Sequence, residues 1–341
     1  MSIMHYSDLA QLWRIAELPL EIVVVGGGRW GKVWVSVIAD AQKTAKNISM
    51  VARADPQGVR AWLKQNSKLN AISVYQSIDE AVIAKPHLKA AIVCSRPQNH
   101  LADTLDAYKH DLHVLVEKPM STDAVSSGAM ANRAQAMQRI LTVGTEFSYL
   151  PALHQCAQEF ISQPKEKKIT LTWEDPEGEA RHGSKKIRHG EDTLLNDLLP
   201  HAFSIFSVLA SNNRLNISRA FQHSGGLKGV IQFQDQAFNL YQLNCNVSAN
   251  KRTRLLEIKG NASSAVLNFS EKRSCLTIND CSVYPPSSIV EMTSTLRLEL
   301  GAFVSQIVAP IKEEALDLKI EELIDLQYQL EKIIARPVSR L

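Results

Sequence analysis

Several short segments of this chain carry residue types whose spacing could do chemistry. Gly26-Gly27-Gly28-Arg29-Trp30-Gly31 satisfies GxGxxG, directly after the β-branched run from Glu21 to Val25 and before a helical stretch from Arg29 to Asp40. In such a turn the first glycine permits the tight bend, and the second removes a side chain that would block a pyrophosphate. The third lets helix and strand pack closely, leaving N–H groups aimed at an anion. Glu117-Lys118-Pro119 closes an apolar strand, and the carboxyl ends of strands in an open α/β sheet are where ligands lie. That places Lys118 beside a nicotinamide, where a lysine can stabilise charge developing on a carbonyl or alcohol oxygen. If burial lowers its pKa, it can also exchange a proton. Asp197 and His201 stand four apart, so a helix sets them on one face as a proton-handling pair.

Two details qualify these assignments. The second strand should end at a residue that meets the adenosine ribose, and Ala52-Arg53-Ala54-Asp55-Pro56 offers both an arginine and an acid. Asp55 there accepts from a ribose 2′-hydroxyl and favours NAD, whereas Arg53 pairs with a 2′-phosphate and favours NADP. A one-residue register decides between them, and Asp55-Pro56 also reads as a plain turn. Pro200 sits between Asp197 and His201, which is harmless if Asp197 is the helix N-cap and Pro200 falls in the first turn.

The elements that must hold these residues follow from hydrophobic pattern. Residues 7 to 18 have helical spacing, with Leu9, Leu12, Trp13 and Ala16 on one face. Short apolar runs at 21–25, 48–52, 90–94 and 113–116 alternate with helical stretches, which implies a parallel sheet covered on both faces. After about residue 145 come a helix at 151–161, a strand at 168–173, a charged loop at 174–192 and a helix from about Asp197. Six short strands then run between 219 and 278, spaced by turn residues as in an antiparallel meander, before closing helices at 292–308 and 319–334. The expected architecture is α/β: a helical extension (1–20), a doubly wound Rossmann domain (21–142), and an α+β domain with a largely antiparallel open sheet (143–341). At roughly 150 residues per domain, 341 residues suit two domains.

Composition excludes several classes. Thirty-eight basic and 35 acidic residues leave a net charge of +3, too balanced for a nucleic-acid surface. No apolar run approaches the roughly 20 residues that span a bilayer, and Asp8, Arg14 and Glu17 interrupt any signal peptide, so a cytoplasmic location is expected. Five scattered cysteines without a CxxC pair read as reduced thiols, and no metal site is expected.

Four segments in order resemble the Gfo/Idh/MocA family of nicotinamide-dependent oxidoreductases, which includes glucose-fructose oxidoreductase and inositol dehydrogenase. They are Val25 to Gly31, Cys94-Ser95-Arg96-Pro97-Gln98-Asn99-His100, Val116-Glu117-Lys118-Pro119, and Asn196-Asp197-Leu198-Leu199-Pro200-His201. The resemblance implies a catalytic Lys118 before a proline whose peptide bond is often cis, His201 as acid or base toward the substrate oxygen, and Asp197 as a substrate-binding or orienting group. It implies NAD(P)H contacts from Gly26, Gly28, Arg29, Trp30, Gly31, Arg53, Asp55, Cys94, Ser95, Asn99, His100, Glu117, Lys118 and Pro119. It also implies a homodimer or homotetramer through the C-terminal sheet. Sugar-acting relatives commonly carry Gly-Phe-x-x-Arg where this chain has Gly144-Thr145-Glu146-Phe147-Ser148-Tyr149, which leaves the substrate open and makes Tyr149 a candidate substrate contact. The loop after Trp173, rich in Glu174, Asp175, Glu177, Glu179, Arg181, His182, Lys185, Lys186, Arg188 and His189, is expected to wall the substrate. The expected reaction is hydride transfer between nicotinamide and a carbonyl or secondary alcohol of a small polar metabolite. Reduction of a C=N bond is the alternative, and a non-catalytic cofactor sensor the more distant one.

Overall fold

A computed structural model describes residues 3–161, 167–177, 180–181, 184–185, 193–211, 213–261, 263–270, 275–283, 294–308 and 314–335. The chain forms two compact units. One comprises Ser7–Glu146 with Ser294–Glu321, the other Met1–Tyr6, Phe147–Thr293 and Glu322–Leu341.

In the first unit, β1 (Ile22–Val25), β2 (Ile48–Val51), β3 (Ser73–Tyr75), β4 (Ala90–Val93), β5 (His113–Val116) and β6 (Leu141–Val143) make one sheet in the order β3-β2-β1-β4-β5-β6. Every pairing is parallel. The β1, β2 and β4 residues are buried throughout, as strands covered on both faces must be. Register fixes where chemistry can occur. Val25 is level with Val51 and Val93, Val93 with Val116, and Val116 with Val143. The residues that follow, Gly26, Ala52, Cys94, Glu117 and Gly144, therefore open their loops along one edge of the sheet. Strand order reverses between β1 and β4, so the connections leaving these two strands diverge and open a crevice at that edge.

The helices of this unit are α1 (Tyr6–Ile15), α2 (Arg29–Gln42), α3 (Pro56–Lys64), α4 (Ile78–Ala84), α5 (Pro97–Lys109) and α6 (Ala124–Ala136). A late helix joins them, Thr295–Val308, whose Leu300, Phe303 and Val304 enter the same core as Trp34 and Ile38 of α2. It crosses α1 so closely that a side chain at Gly301 would fall 2.0 Å from the Leu12 carbonyl oxygen. Arg297 adds an ion pair to Glu17 and lies 4.0 Å from the centre of the Trp13 ring. The closing helix expected in the C-terminal domain thus completes the N-terminal core.

The second unit contains α7 (Pro151–Ile161), β7 (Lys168–Pro176), β8 (Ala180–Arg181), β9 (Ser184–Lys185), α8 (Leu194–Leu209) and β10 to β16 (Leu215–His223, Lys228–Asp235, Leu240–Ala249, Thr253–Lys259, Ser264–Asn268, Cys275–Ile278 and Cys281–Val283). Eight strands form one sheet in the order β10-β11-β12-β7-β13-β14-β15-β16. Adjacent strands are antiparallel except β7 and β12, which run parallel. The expected meander is thus split by β7, inserted at its centre. Along β7 and β11 burial alternates residue by residue, one face packed and the other part-exposed. The buried face carries Phe206 of α8 against Phe233 and Tyr241. The last helix, α10 (Glu314–Ile334, following the Thr295–Val308 helix, α9), ties to β10 through Glu322 and Gln329, which accept from the Leu215 and Ile217 amides. Among the described residues no helix is long and apolar enough to cross a membrane.

Candidate functional site

The glycine turn divides its labour as a phosphate-binding turn requires. Gly26 has φ +129°, and a Cβ there would lie 2.7 Å from the Cys94 carbonyl oxygen. A Cβ on Gly31 would fall 1.8 Å from the Gly26 carbonyl oxygen, so the first and third glycines are demanded by the turn and by helix packing. At Gly28 a Cβ meets nothing within 4 Å. That middle position faces open space while serving as the N-cap of α2 without any side-chain cap, leaving the first amides of the helix for an anion. The residues present therefore fit a dinucleotide pyrophosphate. Arg29 and Trp30 open the same helix, with the guanidinium 5.6 Å from the indole centre.

Around this turn the sequence-predicted residues divide between those that face the edge and those that build it. Asp55 caps α3, accepting from the Gly58 amide at 2.8 Å. Arg53 reaches to α5, where it pairs with Asp103 and, at 3.7 Å, Asp106. Ser95 donates to the other Asp103 oxygen at 2.6 Å, so the ends of β2 and β4 are tied through one buried carboxylate. Cys94 is buried beneath the turn, and burial pushes its thiol well above the ordinary range. It shapes the turn from below. His100 is likewise internal: its two ring nitrogens face the carbonyls of Pro119 at 3.0 Å and Ser95 at 3.1 Å, and burial lowers its pKa. It fastens the loop after β4 to the loop after β5. Asn99 is exposed on the first turn of α5.

At the end of β5 the Lys118–Pro119 bond is cis. Glu117 turns away from the edge: its Oε1 accepts from the Trp34 indole at 2.6 Å and its Oε2 from the Lys118 amide at 3.2 Å. Gly144 exists for this packing, since a Cβ there would lie 3.0 Å from Glu117 Oε2. Two more carboxylates converge. Glu299 of α9, fully buried, accepts from the Thr145 amide at 2.6 Å, and its second oxygen has no partner among the described residues. Burial first, then the charges of Glu146 and Glu117, hold the Glu299 carboxyl well above its usual range. Glu146 is pushed up to about 7 by burial and by Glu117, against the pull of Lys118. Glu117 itself is raised by burial, moderated by Trp34 and Lys118. Lys118 thus lies beside a group of carboxyls, part of which stays protonated near neutral pH.

Asp197 and His201 belong to the second unit. The helix that carries them starts at Leu194 and not at Asp197. Thr193 is its N-cap, accepting from the Asn196 amide at 3.2 Å, so Asp197 is not the cap and its carboxylate is not committed to that role. Pro200 lies inside the helix, beyond the first turn. The i,i+4 spacing still sets Asp197 and His201 on one face.

His201 is 7% exposed and sits in an aromatic cluster. Its ring stacks on Trp173, centroids 4.7 Å apart and planes at 16°, and meets Phe147 edge-on at 5.2 Å. Phe147 also meets Trp173 edge-on at 5.6 Å and lies 5.5 Å from Phe269. Strand parity explains the assembly. Trp173 and Asp175 point to the same face of β7, and Arg254 stands directly across from Trp173 on β13. The guanidinium carbon therefore lies 3.8 Å from the indole centre, and its charge is met by Asp175, both side chains at most 5% exposed.

Where a loop is expected after Trp173 the strand continues: Glu174 and Asp175 belong to β7, and Asp175 is buried in the ion pair. Arg181 and Lys185 fall in the paired strands β8 and β9, while Glu179, His182, Lys186, Arg188 and His189 lie outside the described residues. Tyr149 is 6% exposed, at the end of a 3-10 turn from Glu146 to Tyr149. Sequence reading missed Trp34, Asp103, Glu299, Arg254 and the aromatic partners of His201. A charged residue at an inward parity, as in Thr253-Arg254-Leu255-Leu256, was the available signal for Arg254.

A family profile described as an oxidoreductase family with an NAD-binding Rossmann fold matches residues 20–145. A comparison with curated protein sequences finds no match. Among solved structures, the chain is similar to a 3-ketoreductase from Actinomadura kijaniata crystallised with NADP, with TM-score 0.74, 14% identity, and coverage of 93% of this chain and 98% of that one. It is similar to a UDP-N-acetylglucosamine 3-dehydrogenase from Acidithiobacillus ferrooxidans, with TM-score 0.72, 15% identity and coverage of 93% and 98%. An oxidoreductase from Thermotoga maritima follows, with TM-score 0.71, 15% identity and coverage of 93% and 96%. At such identities the likeness is one of fold.

Proposed function

We propose that this chain, whose residues 20–145 match the profile of the Gfo/Idh/MocA oxidoreductase family with its NAD-binding Rossmann fold, is an NAD(P)-dependent oxidoreductase that interconverts a carbonyl and a secondary alcohol on a small polar metabolite. The observation that carries this reading is the open middle position of the glycine turn, on the same sheet edge as Lys118. The nicotinamide, when bound, gives or takes the hydride. Gly26, Gly28, Gly31 and the first amides of α2 would hold the pyrophosphate, with Arg29, Trp30 and Ser95 along the same edge. In this reading Lys118 supplies positive charge for a developing alkoxide, His201 donates or accepts the proton at the substrate oxygen, and Asp197 orients. Arg53 and Asp55 keep the choice between NADP and NAD open, because one is paired with Asp103 and the other caps α3. The part-exposed face of the eight-stranded sheet supports a homodimer or homotetramer, which light scattering would contradict by a stable monomer at micromolar concentration.

The test is turnover of NADH and NADPH against a panel of polar ketones and cyclic imines, for the natural chain, His201→Gln and Lys118→Met. Ketone turnover that falls by about 100-fold or more in each variant supports the reading. Turnover of imines alone overturns the carbonyl assignment, and turnover indifferent to both substitutions overturns the roles of Lys118 and His201.

A further inference from the structure

His201 is held by more than its helix. Its ring is stacked on Trp173 and walled edge-on by Phe147, so rotation about the Cβ–Cγ bond drives it into one ring or the other. Trp173 is itself fixed. Arg254 lies against the indole and is anchored by Asp175, by the Glu174 carbonyl and, at 2.8 Å, by the Thr253 carbonyl. A chain of contacts therefore runs from a buried ion pair through an indole to an imidazole, all inside the second unit. Ile169 and Leu171 fill the same face of β7 with aliphatic side chains, and Trp173 alone of the three brings a ring to that face.

We propose that Trp173 is a positioning residue for His201: pinned by Arg254, it sets the plane of the imidazole, and so the direction of its nitrogens, and gives the protonated ring a π face to rest on. The inference builds on the reading of His201 as the proton-handling group. Among the described residues the charged groups tied to this stack are Arg254 and Asp175, which pair with each other against the indole, and Asp197 stands one turn earlier on α8. With the ion pair neutral overall, the indole favours the imidazolium, and its removal makes His201 harder to protonate.

The experiment follows the ring protons of His201 by NMR as pH is varied, in the natural chain, Trp173→Phe and Trp173→Leu, with His201→Gln to assign the signal. The proposal expects an upfield, ring-current-shifted signal in the natural chain that Trp173→Phe largely keeps and Trp173→Leu loses. It also expects the titration midpoint of His201 to fall by about half a pH unit in Trp173→Leu. An unchanged signal and midpoint in a folded Trp173→Leu protein overturns it.

If Trp173→Leu does not fold, indole emission decides, since a protonated imidazole in contact quenches it. A pH-dependent dimming that Trp173→Phe and His201→Gln both abolish supports the stack; dimming that survives in His201→Gln, or none in the natural chain, overturns it. With a turned-over substrate, Trp173→Leu displaces the acid limb of the kcat profile, and Trp173→Phe restores it. The spectroscopic results stand without any nucleotide. Failure of nucleotide-dependent turnover therefore counts against the functional reading alone, and an unperturbed His201 signal against the positioning role alone.

Discussion

Lys118 and His201, the two candidate proton-handling side chains, live in surroundings built on different physics. Beside Lys118 stand carboxyls: Glu117 bonded to the Trp34 indole, Glu299 bonded to the Thr145 amide, and Glu146 between them in sequence and charge. Around His201 stand rings, Trp173 and Phe147 in direct contact and Phe269 behind them, with the Arg254–Asp175 pair closed against the indole and Asp197 one turn earlier on the same helix. The first environment works through how many protons a buried group holds, so it responds to pH. The second works through ring contacts, so it responds first to side-chain shape and, at His201, to whether the ring carries a proton. The two surroundings, each within its own unit, therefore answer to different perturbations.

The comparison breaks most severely where the aromatic region depends on charge. Asp175→Asn strands the Arg254 guanidinium in the interior and should cost about 3–5 kcal/mol, read as a lowered urea midpoint, with the emission of Trp173 altered as its partner relaxes. A loss below about 1 kcal/mol would mean that the pair is hydrated and does not pin the indole.

On the carboxyl side, Trp34→Phe removes the donor to a buried carboxyl and should cost on the order of 2 kcal/mol, more at pH 8 than at pH 5, because the charged form of Glu117 needs that donor most. The same loss at both values would show that Glu117 stays neutral throughout.

Glu146→Gln sharpens the contrast with the opposite sign. The folded-state pKa of Glu146 is about 7 against an ordinary 4.5, so the folded chain keeps a proton that the unfolded chain has released between those values. Stability contributed by the neutral form is complete below pH 4.5 and is lost as pH rises toward 7. Glu146→Gln should therefore match the natural chain at pH 4 and exceed it at pH 8, by on the order of 2 kcal/mol. Equal stability at pH 8 would place Glu146 in solvent.

The smallest effect belongs to the rings. Phe147→Leu keeps the apolar volume and loses the edge-on contacts to Trp173 and His201, for about 1 kcal/mol with no pH dependence. A pH-dependent loss would bring the aromatic region under the same electrostatic control as the carboxyls.

Much of the first unit was legible because its signals are local. The β-branched run 21–25, the glycines after it and the helix at Arg29 lie within one stretch of chain, so each part of the turn is read from its immediate neighbours. The parallel sheet followed from alternation of runs. What sequence could not place was set by tertiary partners. Glu299 carries no local sign of its burial, which follows only from α9 packing in the N-terminal core, where Gly301 allows the crossing with α1. Asp197 reads as a cap because Thr193, four residues earlier, lies next to a charged stretch that hides the true helix start. Asp175 reads as loop because acids are rare inside sheets, and its partner Arg254 lies 79 residues away. The i,i+4 pair and the Glu-Lys-Pro turn were readable as motifs, while the groups that tune them were not.

The central claim, that the glycine turn binds a nicotinamide dinucleotide, is tested most directly by titrating the purified protein with NADH and with NADPH. The readout is energy transfer from tryptophan to the reduced nicotinamide, with Gly28→Asp as the control. Because a side chain at residue 28 enters open space, the variant keeps the fold and places a negative charge where the pyrophosphate belongs. Saturable binding of one nucleotide, abolished in Gly28→Asp at unchanged thermal stability, is the predicted result. Absence of binding by either nucleotide, or binding that Gly28→Asp leaves intact, would contradict it.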